Sequence, residues 1–142
     1  MEPDLLQTLS QVRFRHAQDC LNDAKTLMYN NSYKGAANRA YYAVFHGMRA
    51  VLALDHIDKK HHSGIISEFR RRYIKTAVFP VEFSRIISSL ESTRTDSDYD
   101  DFFIISKEEV TEQISDAEVF LDGIKEYLLT VDVISSDKDR LP

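Results

Sequence analysis

Cys20 is the only cysteine in 142 residues. A single thiol excludes an intrachain disulfide and any multi-cysteine metal site, and it favours a reducing compartment, the cytoplasm. Glycine and proline are scarce, at four and three residues. Two of the prolines stand near the ends, so the interior can support long helices. No apolar run approaches the length that spans a bilayer. The N-terminal stretch MEPDLLQTLSQVRFRH also lacks the basic region and uninterrupted apolar segment of a signal peptide, so neither membrane insertion nor secretion is expected. An excess of positive charge is missing too. The formal net charge is −5, which argues against a protein that coats nucleic acid by broad phosphate neutralisation. No spacing of His, Asp and Glu suggests a metal site, and no metal or other cofactor is expected.

What is present is helical periodicity. Phe14, Ala17, Leu21, Ala24 and Met28 recur at spacings of three and four, as do Val110, Ile114, Ala117, Leu121, Ile124 and Leu128. Asn30-Asn31-Ser32 ends the first helix and starts a second running to about Leu54. Ser63 to about Thr76 reads as a third helix. Pro80 suits the first turn of a fourth, and Ser106 with Glu109 makes a capping box for a fifth. The expectation is an all-α, up-and-down bundle of four to five helices forming one domain over residues 1–134, with a flexible tail at 135–142.

On a helical wheel the second helix separates into three stripes. Ala37, Tyr41, Val44, Met48 and Val51 make an apolar core stripe. Ala36, Ala40, Ala43, Gly47 and Ala50 make a stripe of small residues that lets another backbone approach closely, either the first helix or a second copy of the chain. Roughly opposite the core stripe lie Gly35, Arg39, Tyr42 and His46, with Arg49 at the edge. Arg39 and His46, seven residues apart, project from nearly the same angle about two turns, or roughly 10 Å, apart along the axis. Arg supplies a permanent planar charge suited to phosphate, and His titrates near neutrality. The pair fits phosphodiester chemistry. The bland alternative is that Arg39 pairs with Asp96 or Asp98 and that His46 is a satisfied, partly buried histidine.

The run NRAYYAVFHGMRAVL, from Asn38 to Leu52, resembles the signature helix of the HEPN superfamily, particularly its small stand-alone bacterial and archaeal members. The Ala17-Gln18 region, the Ser32-Tyr33-Lys34-Gly35-Ala36-Ala37 stretch and the later Arg94-to-Asp100 segment are similar to the family pattern in the same order. The resemblance covers roughly residues 8 to 130. It implies a helical bundle, commonly a homodimer, in which an Arg-x4-6-His motif lines a cleft between protomers. Arg39-x6-His46 matches at the long end of that range, although Ala40 stands where active members often carry a polar residue. In active members the motif supports metal-independent RNA cleavage, which would make Arg39 and His46 catalytic, with Asn38, Tyr42 and Arg49 beside them as substrate-binding groups. It further implies a toxin paired with a minimal nucleotidyltransferase antitoxin. The alternative within the family is a catalytically silent module that binds such a partner, a nucleotide or RNA.

Charge is unevenly spread. From His56 to Lys75 there are six Lys and Arg against Asp58 and Glu68, and Arg70-Arg71-Arg72 offers an RNA-positioning patch. The segment Asp96 to Asp101 is the opposite pole, suited to a protein partner or to pairing with Arg94, with the Tyr99 ring expected to pack on the bundle. His61-His62 is expected as a solvated helix start rather than a metal site. Tyr42, one turn from both Arg39 and His46, can hydrogen-bond either and is a conceivable target of a nucleotidyltransferase.

Overall fold

The computed structural model describes residues 3–135, and the expected tail from 136 onward lies outside the described residues. Five helices follow in order: α1 (Pro3–Tyr29), α2 (Tyr33–Leu54), α3 (His62–Phe69), α4 (Glu82–Tyr99) and α5 (Lys107–Thr130). The third helix ends sooner than its sequence suggests. After Phe69 the backbone widens into a π-helical turn over Arg70–Ile74, closed by Lys75 N–H donating to the Arg70 carbonyl at 2.9 Å. There are no strands among the described residues, and the chain is all-α.

Local chemistry sets the boundaries. Asn31 takes a left-handed φ of 63° between α1 and α2, a conformation that asparagine tolerates better than most residues. Ser32 occupies the N-cap of α2 but makes no side-chain cap bond. Pro80 sits just ahead of α4, its carbonyl accepting from Phe83 N–H at 3.0 Å. The capping box at α5 is complete: Ser106 Oγ accepts from Glu109 N–H at 3.1 Å and Glu109 Oε1 from Ser106 N–H at 3.2 Å.

Interhelical contacts fix direction. Arg13 Nη1 donates to the Arg49 carbonyl, and a Cβ at Gly35 would touch Leu27, so α1 and α2 run antiparallel. Gln11 bonds the Val133 carbonyl while Lys25 pairs with Glu118, which makes α1 and α5 antiparallel. Thr93 accepts from Gln113, and Phe83 lies against Gly123, so α4 and α5 are antiparallel as well. The result is up-down-up-down for α1, α2, α4 and α5. The second helix touches all four others, and its core stripe of Ala37, Tyr41, Val44, Met48 and Val51 is at most 4% exposed.

The small-residue stripe is consumed inside the chain. Ala36, Ala40, Ala43 and Ala50 have no exposed surface, and a Cβ on Gly47 would come within 2.8 Å of Leu121 Cδ2. The close approach it permits is to α1 and α5, so it is not a surface for a second copy. Tyr99 also departs from expectation: it is 85% exposed instead of packed on the bundle, because α4 ends there and Asp100 turns extended. No helix among the described residues is long and apolar enough to cross a membrane.

Candidate functional site: a cationic groove over α2

Because α2 is covered by the other helices on most sides, the face bearing Asn38, Arg39, Tyr42, His46 and Arg49 survives as a half-buried strip. Along one edge α1 contributes Arg13, His16 and Cys20. Along the other stand His62, from the first residue of α3, and Arg94 of α4.

Tyr42 stands between the two residues of the Arg-His motif. The Arg39 guanidinium lies over its ring at 5.0 Å from the centroid, and the His46 ring is 6.1 Å away on the same ring. Arg39 is held by Asn38, whose Oδ1 accepts from Nε at 3.2 Å and from Nη2 at 2.9 Å. Its Nη1 approaches Cys20 Sγ at 3.7 Å. The expected alternative, a salt bridge to Asp96 or Asp98, does not form; Asp98 lies 3.3 Å from Arg94 instead. Among the described residues no carboxylate pairs with Arg39. Asn38, expected as a substrate-binding group, is occupied with its neighbour.

His46 lies among basic side chains. The His16 ring packs edge-on at 5.8 Å, and Arg49 Nη1 lies 3.4 Å from His46 Nδ1. A guanidinium can only donate, so this contact requires a lone pair on Nδ1 and leaves the proton of the neutral ring on Nε2. Burial, then Arg49, His16, Arg39 and Arg13, push the imidazole down to about 4. Arg49 is tied back by Asp58, at 3.8 Å, which also pairs with Arg13 at 3.3 Å.

The far edge is aromatic. His62 Nδ1 is 3.0 Å from Tyr41 Oη and its ring stacks on Phe45 with centroids 4.1 Å apart. Burial lowers the His62 pKa and raises the Tyr41 hydroxyl to about 12. Arg94 lies over Tyr41 and Tyr42 at 5.2 and 5.7 Å. Its buried Nε is 3.3 Å from the Asp98 carboxylate yet lacks an aligned hydrogen bond, so that contact is an ion pair of proximity. His61, in contrast, is an exposed N-cap. No group of three or more His, Cys, Asp or Glu close enough to share a metal ion occurs among the described residues.

Arg13, His16, His62 and Arg94 join the groove although the signature run does not contain them. For Arg13, His16 and Cys20 the signal was present as a stripe at spacings of three and four on α1. For His62 and Arg94 it was not, because only the fold carries α3 and α4 to α2. The basic run Arg70-Arg71-Arg72 is spent differently. Arg70 bonds Ser84 and Ser88 of α4, while Arg71 and Arg72 pair with Glu68.

The family model described as the HEPN domain matches residues 10–127. A Thermotoga maritima protein named "UPF0332 protein" is 33% identical over 114 residues, spanning 80% of this chain and 86% of that relative. Two Methanocaldococcus jannaschii proteins, "Putative toxin MJ0142" and "Putative toxin MJ0605", are 30% and 34% identical. Those alignments span 87% and 79% of this chain, and 84% and 83% of the respective relatives.

Proposed function

The chain belongs to the HEPN domain family, and from that premise we propose that it is a metal-independent endoribonuclease, the toxin of a toxin-antitoxin pair, with Arg39 and His46 as its reacting groups. The observation that carries this reading is the state of Arg39: a guanidinium without a carboxylate partner among the described residues, one ring away from a half-buried histidine, in a chain of net negative charge. A cation without a carboxylate partner among the described residues and half out of water gains most from an anion, and a phosphodiester matches its planar fork. The toxin assignment leans on the names of the two archaeal relatives, and a minimal nucleotidyltransferase is the partner that the family resemblance suggests.

The geometry supports the following chemistry. The basic atom of His46 is Nδ1, which Arg49 covers. A substrate phosphate draws Arg49 towards itself and uncovers Nδ1, and its negative charge raises the imidazole from about 4 towards a useful range. The ring then takes the proton of the ribose 2′-hydroxyl; the 2′-oxygen attacks phosphorus and the bond to the 5′-oxygen breaks. Arg39 stabilises the charge on the phosphoryl oxygens. A second copy of the chain facing the first supplies the protonated His46 that delivers a proton to the leaving oxygen. The products are a 2′,3′-cyclic phosphate and a 5′-hydroxyl.

A second reading rests on the same contact. Covered by Arg49 and held at about 4, His46 is suited to staying neutral, which favours a silent module that holds RNA, a nucleotide or a partner protein. Incubating purified protein with transfer and messenger RNA in EDTA separates the two readings. Cleavage leaving cyclic phosphate ends, reduced about a hundred-fold or more in both Arg39→Ala and His46→Ala, is the expected result. Intact RNA with every folded variant would leave only the binding module.

A further inference from the structure

A cation meant to bind an anion faces two opposing demands: it must be held in one geometry, yet whatever holds it must not cancel its charge. Long arginine side chains lose substantial rotamer freedom when fixed, and the usual fixing group is a carboxylate, which neutralises what it orients. Among the described residues the hydrogen bonds and ring contact of Arg39 are all with uncharged groups: the Asn38 amide oxygen takes Nε and Nη2, the Cys20 thiol takes Nη1, and Tyr42 offers its π face. Burial raises the Cys20 pKa, which keeps that sulfur a neutral thiol.

We propose that Asn38 is the positioning residue of the site, a neutral clamp that fixes the Arg39 fork for a phosphate of RNA while leaving its charge uncompensated. The proposal rests on the reading of Arg39 as the phosphate-binding group and adds what makes it competent. Asparagine and aspartate have the same shape, so the choice between them at this position decides charge alone. Asn38→Asp keeps the geometry and removes the net charge; Asn38→Ala keeps the charge and releases the geometry. Asn38 is half-buried on α2, so both variants should fold.

Two measurements test the clamp. In the free protein, the Arg39 Nε–H signal in nitrogen-edited NMR should be protected from solvent exchange in wild type and in Asn38→Asp, and lost in Asn38→Ala. In calorimetric titration with a 2′-O-methyl RNA oligonucleotide, which has phosphates but no attackable hydroxyl, Asn38→Ala should weaken binding by about three-fold with an unchanged salt slope. Asn38→Asp should weaken it by about ten-fold or more and lower the slope by about one, the signature of one lost phosphate contact. Equal losses in the two variants, an unchanged slope in Asn38→Asp, or an Arg39 signal indifferent to Asn38→Ala would overturn the proposal, as would a wild type that ignores the oligonucleotide. A wild type that binds the oligonucleotide and cleaves no RNA would sink the nuclease reading while the clamp stands.

Discussion

His46 has the groove's largest consequence for pH. Its folded value of about 4 lies below the ordinary histidine value near 6.5. Between those limits the unfolded chain takes up a proton that the folded chain refuses, so stability present above about 6.5 is lost as the pH falls towards 4. His62 is shifted in the same direction and adds to the same window. Thermal melts of wild type and His46→Ala should therefore converge as the buffer is taken from pH 7 to pH 5, with wild type losing more. A constant gap between the two curves would mean that His46 titrates normally. A bound phosphate should oppose the effect, because an anion beside Arg39 and Arg49 makes protonated His46 less costly.

At the scale of the helix, the contact of α4 with α5 depends on one missing methyl group. A Cβ on Gly123 would sit 2.5 Å from Phe83 Cζ and 2.9 Å from Cε2. That ring is buried and packed against Phe79 and Phe120, so displacing it breaks both ring contacts. The helix-propensity gain of Gly123→Ala, about 1 kcal/mol, is outweighed by an overpacking cost of about 1–3 kcal/mol. The net loss, up to about 2 kcal/mol, should lower the melting temperature by up to roughly 6 °C. Gly47→Ala should be nearly silent, since the atom it meets is the movable end of Leu121. The sequence carries α1, α2 and α5 plainly because their apolar residues repeat over about four to five turns and Ser106-Glu109 marks a start. It hides the π-helical turn at Arg70–Ile74, since widening the backbone changes no local residue preference. The candidate site is half legible for a related reason: Arg39, Tyr42 and His46 share a helix and a period, whereas His62 and Arg94 are brought to Tyr41 and Tyr42 only by tertiary packing.

For the molecule as a whole, the question is what its surface offers to others. With the small-residue stripe buried against α1 and α5, that stripe offers no surface to a second copy, and the groove over α2 is the surface that the catalytic proposal requires. One other feature stands out on the exterior. At its last residue α4 exposes Tyr99 at 85%, and the segment that follows, Asp100-Asp101-Phe-Phe-Ile-Ile-Ser-Lys107, exposes Phe102 at 90% and Ile104 at 89%. Four consecutive apolar residues, all favourable in strands, lie between charges on both sides, the arrangement that restrains β-type association in solution. Asp100 also caps its own turn, its Oδ1 accepting from Phe102 N–H at 2.9 Å. The double variant Asp100→Asn, Asp101→Asn should keep the helical circular dichroism of wild type and yet scatter light at concentrations where wild type stays clear. Unchanged turbidity would show that the two carboxylates play no such part. On that expectation the two carboxylates have a colloidal role: they keep the exposed Phe102 and Ile104 side chains in solution.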